Sequence, residues 1–160
     1  MKKHYTYDIK IPPSLNLRES LIINKITNTL NDSRGWRKFS YRFDYVRDLN
    51  IKPDFIITIV PNRIIKKVCG FNGLSCADSS TNIVYLNLEK WKKGSSKSKL
   101  SLDDYRNYLI LHECSHITGK GHIKLEDCKP GIKCPIMVQQ TLGIGNLKPN
   151  CWPTKMDNDL

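Results

Sequence analysis

Residues 112–122 read HECSHITGKGH. His112 and His116 stand four apart, so on a helix they project from one face and can grip one metal ion. Glu113 lies beside them, placed to polarise a metal-bound water and take its proton. Gly119 lets the chain leave the helix with positive φ and turn sharply. His122 then comes back under the same ion as a third nitrogen ligand. Three neutral imidazoles leave a fourth position open for water, which a catalytic zinc site needs and a structural one lacks. Zinc lowers the pKa of that water toward neutrality and polarises a carbonyl. A bare HExxH arises on helices by chance. The longer pattern fixes five residues, and three of the chain's four histidines fall in it, whereas histidines serving only as core hydrogen-bond partners need no such spacing.

A helix must carry the first pair. Ser101 can cap it, with Asp103 and Asp104 in a first turn where the dipole favours negative charge. Tyr105, Tyr108, Leu109, Leu111 and His112 continue at helical spacing to Thr118, and Gly119 is placed to stop it. Upstream, residues 1–13 read as an extended lead-in ending at Pro12-Pro13, and Ser14 as the cap of a helix marked by Leu17, Leu21, Ile22, Ile26 and Leu30. Residues 31–35 end that helix. Trp36 to Val46 alternates aromatic and polar residues as a half-buried strand does. Phe55 to Val60 is a short apolar strand, 62–68 a short helix, and 82–88 another strand. The lysine run at 90–99 reads as a solvated loop, and 123–160, rich in Gly, Pro and Cys, as a loop-rich tail. The expected fold is therefore α+β. A twisted mixed sheet packs with two main helices, a loop-rich C-terminal part follows, and the histidine helix forms the floor of a cleft between the two.

The chain has 160 residues, 39% hydrophobic and 26% charged, which suits one domain with one core over 1–160. No apolar run is long enough to span a bilayer. Two lysines near the start resemble a signal-peptide n-region, but no apolar stretch follows them. The formal charge of +11 would suit a nucleic acid or another polyanion. The lysines are spread widely, however, and no strand interleaves them with stacking aromatics. The expected state is a monomer.

Six cysteines, Cys69, Cys76, Cys114, Cys128, Cys134 and Cys151, allow fifteen full pairings. No CxxC pair is present, so they do not read as a four-cysteine zinc site.

The 112–122 pattern is the zinc motif of the metzincin endopeptidases, which this chain resembles. Metzincins carry a turn bearing a methionine under the zinc. Met137, in Cys134-Pro135-Ile136-Met137 after a Gly/Pro loop, resembles that Met-turn. The chain is similar more closely to a family of small, mostly secreted, uncharacterised metzincin-like domains known chiefly from actinobacteria. The matching stretches are Arg34-Gly35-Trp36, the Cys69 to Cys76 loop, VYLNLEKW at 84–91, DDYRNYLILHECSHITGKGH at 103–122, PIMVQQTLG at 135–143 and PNCWP at 149–153. Two positions depart. Gln139 stands where some metzincins have a tyrosine near the zinc. Leu147 stands where the relatives have a cysteine, with Cys151 in place of a proline.

The resemblance implies a Cys69–Cys76 bridge. Cys151 is expected to pair with Cys128 or Cys134, and Cys114, on the histidine helix two residues past His112, to face away from the metal as a small buried residue or a structural half-cystine. The cysteines and the secreted relatives point to an oxidising or extracellular setting, although no signal peptide is visible. The resulting expectation is zinc-dependent hydrolysis of a protein or peptide substrate. His112, His116 and His122 hold Zn2+, and Glu113 is the general base. The rival readings are a zinc-binding module without activity and a basic nucleic-acid-binding protein with a structural metal.

Overall fold

A computed structural model describes residues 1–48 and 50–160. Strand β1 (His4–Lys10) comes first, with Tyr5, Tyr7 and Ile9 buried alternately along it. The segment read as a lead-in is thus an interior strand, flanked on both sides. Its period of two is the signal that the extended reading passed over. Helix α1 (Glu19–Asn31) follows, burying Ile22, Ile26 and Leu30. It starts five residues after Ser14, which lies in a 3-10 turn instead. Asn16, at φ 51°, takes the chain out of that turn before a helix can propagate.

The expected strand from Trp36 is shorter than its alternation suggests. Trp36–Phe39 forms a 3-10 turn, and only Arg42–Tyr45 is strand β2. Trp36 and Phe39 are three apart, so one turn of 3-10 helix sets their rings on one side, with centroids 5.9 Å apart. Strand β3 (Phe55–Val60), helix α2 (Asn62–Cys69) and strand β5 (Ile83–Asn87) follow closely as read, while strand β4 (Cys76–Asp78) forms where no strand was expected. The lysine run is not a loop throughout. Asn87 caps helix α3 (Leu88–Lys93) by accepting from Lys90 N, and Trp91 is buried. Helix α4 (Leu102–Ile117) carries the histidines. A four-residue helix α5 (Lys155–Asn158) lies in the tail.

The five strands form one sheet in the order β2-β1-β3-β5-β4. The first three pairings are parallel and β4 is antiparallel to β5, so the sheet is mixed and the fold α+β. Parallel neighbours require crossovers, and α1 and α2 lie in these connections. Aromatic rings bind the parallel strands to one another: Tyr5 stacks on Phe43 and Tyr7 on Phe55, each at 5.8 Å. Ile57, Ile59, Val84 and Leu86 join them in the main core. Each such side chain contributes about 1.5–3 kcal/mol on burial. Ile65, Val60 and Cys76 form a smaller cluster at α2. None of the described helices is long and apolar enough to cross a membrane.

Candidate metal centre

Helix α4 positions the site because it is locked in place along its length. Ser101 accepts from Asp104 N at 3.2 Å as its cap. A buried bond from Thr29 Oγ1 to Asn107 Oδ1, at 2.8 Å, ties it to α1. Trp36 Nε1 donates to Ser115 Oγ at 2.9 Å, and that hydroxyl donates to Leu111 O at 2.5 Å. Every residue from Asn107 to Ser115 is buried, so the helix turns no wet face to solvent over this stretch. It ends as read: Gly119, at φ 92°, follows the cap Thr118, a conformation that a Cβ would strain.

His112, His116 and His122 converge. Their ring centroids are 4.8–5.2 Å apart, and one ligand atom from each lies within 4.8 Å of the others. The hydrogen bonds fit use as metal ligands. His112 Nδ1 pairs with Ile136 O at 2.5 Å and His116 Nδ1 with Lys120 O at 2.8 Å. Each carbonyl fixes the proton on Nδ1 and leaves the Nε2 lone pair for a metal. Burial pushes the His112 pKa down to about 3 and lowers His116 and His122 as well, so all three rings are neutral donors. The group can hold a metal ion.

Glu113 is buried beside His112, and burial pushes its carboxyl up to about 8. It lines a cleft of about 570 Å³ together with the three histidines. The cleft is also lined by Phe71, Leu74 and Ser75, by Cys76 and Ala77 of β4, and by Gln139 and Thr141. Helix α4 contributes Tyr108 and Leu109 to the lining as well. Strand β4 ends the sheet, and no further strand pairs with it among the described residues.

Met137 is buried and held from two sides. Its carbonyl accepts Ile123 N at 2.9 Å, next to His122. Its N–H belongs to the same peptide group as the Ile136 carbonyl that receives His112. That N–H donates to Asp157 Oδ1 at 2.8 Å, while Asp157 Oδ2 accepts Ile136 N at 3.1 Å, Thr154 N at 2.6 Å and Thr154 Oγ1 at 2.8 Å. Asp157 therefore pulls on one end of a peptide whose other end orients His112. The sequence reading missed it, although Thr154-x-x-Asp157 is a capping-box pattern that marks a helix start in an otherwise irregular tail. Tyr108 is a second omission. Its hydroxyl donates to Val138 O and accepts Gln140 N, fastening the segment after Met137 to α4.

The cysteines divide. Cys69 and Cys76 are bridged, joining the end of α2 to β4 at the cleft rim. The expected tie from Cys151 to Cys128 or Cys134 is not formed, and all three are free thiols. Their side chains have other neighbours: Cys151 Sγ faces Asn107 Nδ2 at 4.0 Å, Cys134 faces Pro135 O, and Cys128 faces Lys124 O. Cys114 is fully buried and free, which selects the small buried residue over the half-cystine of the two readings.

A family model described as a protein of unknown function (DUF3152) matches residues 1–157. No curated protein matches the chain.

Proposed function

The chain belongs to the DUF3152 family, and we propose that it is a zinc-dependent peptidase of metzincin type, cutting peptide bonds in an extended segment laid along β4. The observation that carries this reading is the convergence of three neutral imidazoles with a buried, non-ligating carboxylate at the floor of an open cleft. A purely structural metal site is closed and has no use for such a carboxylate. Met137, held between the peptide whose carbonyl pairs with His112 and the chain beside His122, supports the Met-turn reading.

His112, His116 and His122 would hold the ion through Nε2. Zinc there supplies Lewis acidity to the scissile carbonyl and to an attacking water. The chain's own residues do the rest. The free edge of β4 offers backbone N–H and C=O groups to a substrate strand, which fixes the scissile bond over α4. Phe71, Leu74, Tyr108 and Leu109 give the cleft an apolar lining for substrate side chains. Glu113 takes the proton of the water and delivers it to the leaving nitrogen.

The test contrasts two variants. Glu113→Gln should keep one zinc per chain and lose about 10²–10⁴ in the rate of cleavage of a fluorogenic peptide library. His122→Ala should lose zinc as well as activity, measured by metal analysis after gel filtration. If wild type cleaves nothing in the library yet retains zinc and captures an intact peptide, the domain is a binding module instead. Equal rates in wild type and Glu113→Gln would remove Glu113 from the chemistry.

A further inference from the structure

Between the end of α4 and Ile123 the chain has one buried side chain, Lys120, set between Gly119 and Gly121. Two glycines around a single residue make this turn conformationally loose. Yet it does two things for the metal centre. The Lys120 carbonyl accepts from His116 Nδ1 at 2.8 Å, and the turn delivers His122. The His122 ring has no hydrogen-bond partner among the described residues, so its position depends on the chain on either side of it. On the far side, Ile123 N is pinned to Met137 O. On the near side Lys120 N bonds Ser115 O at 3.2 Å, and the Lys120 side chain is the one side-chain anchor that is buried.

That anchor ends in an ammonium on a residue only 5% exposed, and burying a charge is costly unless it has partners. Its Nζ stands 5.1 Å over the Trp36 ring and 5.7 Å over the Tyr41 ring, and donates to Asn158 O at 3.3 Å. Two aromatic faces and a carbonyl make a cage suited to a cation. Each wall is itself fixed: Trp36 bonds Ser115 on α4, Tyr41 N bonds Trp36 O, and Asn158 closes α5 next to Asp157. A neutral side chain of similar length would fill the space without being held by it.

We infer that Lys120 is a positioning residue for the metal centre, whose caged ammonium fixes the Gly119–Gly121 turn and thereby aims His116 and places His122. This rests on the reading that the three histidines hold a metal, and the experiment separates the two. Zinc affinity is measured by competition with a chromophoric chelator, and the cobalt(II) absorption spectrum reports the ligand geometry. The proteins compared are wild type, Lys120→Met, Lys120→Arg, and Lys97→Met as an exposed-charge control. Loss of an outer-shell partner typically weakens metal binding by about 10–100-fold, and Lys120→Met should fall in that range with an altered cobalt spectrum. Lys120→Arg should recover most of the loss, because it restores the cation to the cage, and Lys97→Met should match wild type. Melting of the metal-free proteins tells a positioning role from a merely structural one. If Lys120→Met melts lower but binds zinc as tightly as wild type, the inference is overturned. Should Lys120→Met fail to fold, Trp36→Phe thins the cage while keeping a ring, and unchanged zinc affinity there would overturn it equally. A wild type that binds neither ion removes the three-histidine reading and the inference with it.

Discussion

From His4 to Ile117 the molecule is held mainly by apolar side chains at regular spacing. From Ile123 to Asn158 it adds Ile136, Met137, Val138 and Ile144 to the same core, but its backbone is tied by polar side chains and single loop bonds rather than by ladders. The first region buries Tyr7, Phe43, Phe55, Ile57 and Leu86 in one continuous core beneath a sheet whose ladders satisfy its backbone. The second has only 3-10 turns, one isolated bridge between Lys133 and Lys148, and α5. Its backbone is satisfied one group at a time. Gln140 Nε2 donates to Pro135 O and Asn150 O, Asn150 Nδ2 to Cys134 O and Trp152 O, and Asp157 receives Ile136, Met137 and Thr154. The candidate metal centre lies where the two regions meet: α4 supplies His112, Glu113 and His116, while the tail supplies the carbonyl that pairs with His112 Nδ1. The first region places the histidines, and the irregular one orients a ring.

The largest effect should come from breaking the first region. Phe55→Ala empties a site only 1% exposed, in contact with Tyr7 and Phe43, and should cost about 3–5 kcal/mol of stability. In the molecules that stay folded, zinc affinity should match wild type, because no bond to a ligand passes through Phe55. Chemical denaturation and zinc competition on the same sample check both halves of this expectation.

Breaking the second region should look different. Asp157→Ala leaves the N–H groups of Ile136, Met137 and Thr154 without their acceptor, at a cost of about 3 kcal/mol. It should also weaken zinc binding about ten-fold, because the peptide that orients His112 loses its far-end partner. A variant that loses stability but keeps full zinc affinity would show that the tail is packing alone.

The extent to which each region was legible follows from the same contrast. Strands β3 and β5, helices α2 and α4, and the stop at Gly119 could be read because periodicity and capping act locally. The strand expected over Trp36–Phe39 failed because a spacing of three competes there with alternation. The lysine loop proved helical because one buried residue, Trp91, was enough to dock it. In the tail there was no period to read: Gln140, Asn150 and Asp157 act on backbone groups up to 21 residues away, and nothing in composition marks which polar residue will be buried. The convergence of the three histidines was readable because the spacing HExxHxxGxxH acts locally, on one helix face and the turn that follows it. Lys120 and Asp157, which hold those histidines in place, were not.

A smaller effect should follow from removing the bridge at the cleft rim. Cys69 and Cys76 are seven apart in sequence, and closing so short a loop contributes about 2 kcal/mol in the chain-entropy account. The double variant Cys69→Ala/Cys76→Ala should melt lower than wild type and be insensitive to reductant, whereas wild type should lose the same amount on reduction. Zinc affinity should not change in either, since the bridge lies on β4 and α2, which hold no ligand.

The smallest expected effect is in the pH dependence of stability, where one carboxyl from each region should act with opposite sign. Asp44, on β2, is hydrogen-bonded by Arg42 and also by His4, which hold its pKa below the ordinary 3.8. The folded state then binds its proton less tightly than the unfolded chain, so its contribution is present above 3.8 and lost as pH falls through the lowered value. Asp157 is shifted the other way. Burial raises its pKa above 3.8, opposed by the bonds from Thr154, Met137 and Ile136. The folded state binds that proton more tightly, so its contribution falls as pH rises through the window just above 3.8. Asp44→Asn should therefore flatten the stability curve on the acid side of 3.8, and Asp157→Asn should flatten it on the other side. Urea titrations of the metal-free proteins between about pH 2.5 and pH 6.5, where carboxyls titrate, compare the two slopes directly. If both variants change the curve in the same window, the tail carboxyl is as open to solvent as the one on the sheet edge, and the contrast between the regions does not extend to their charges.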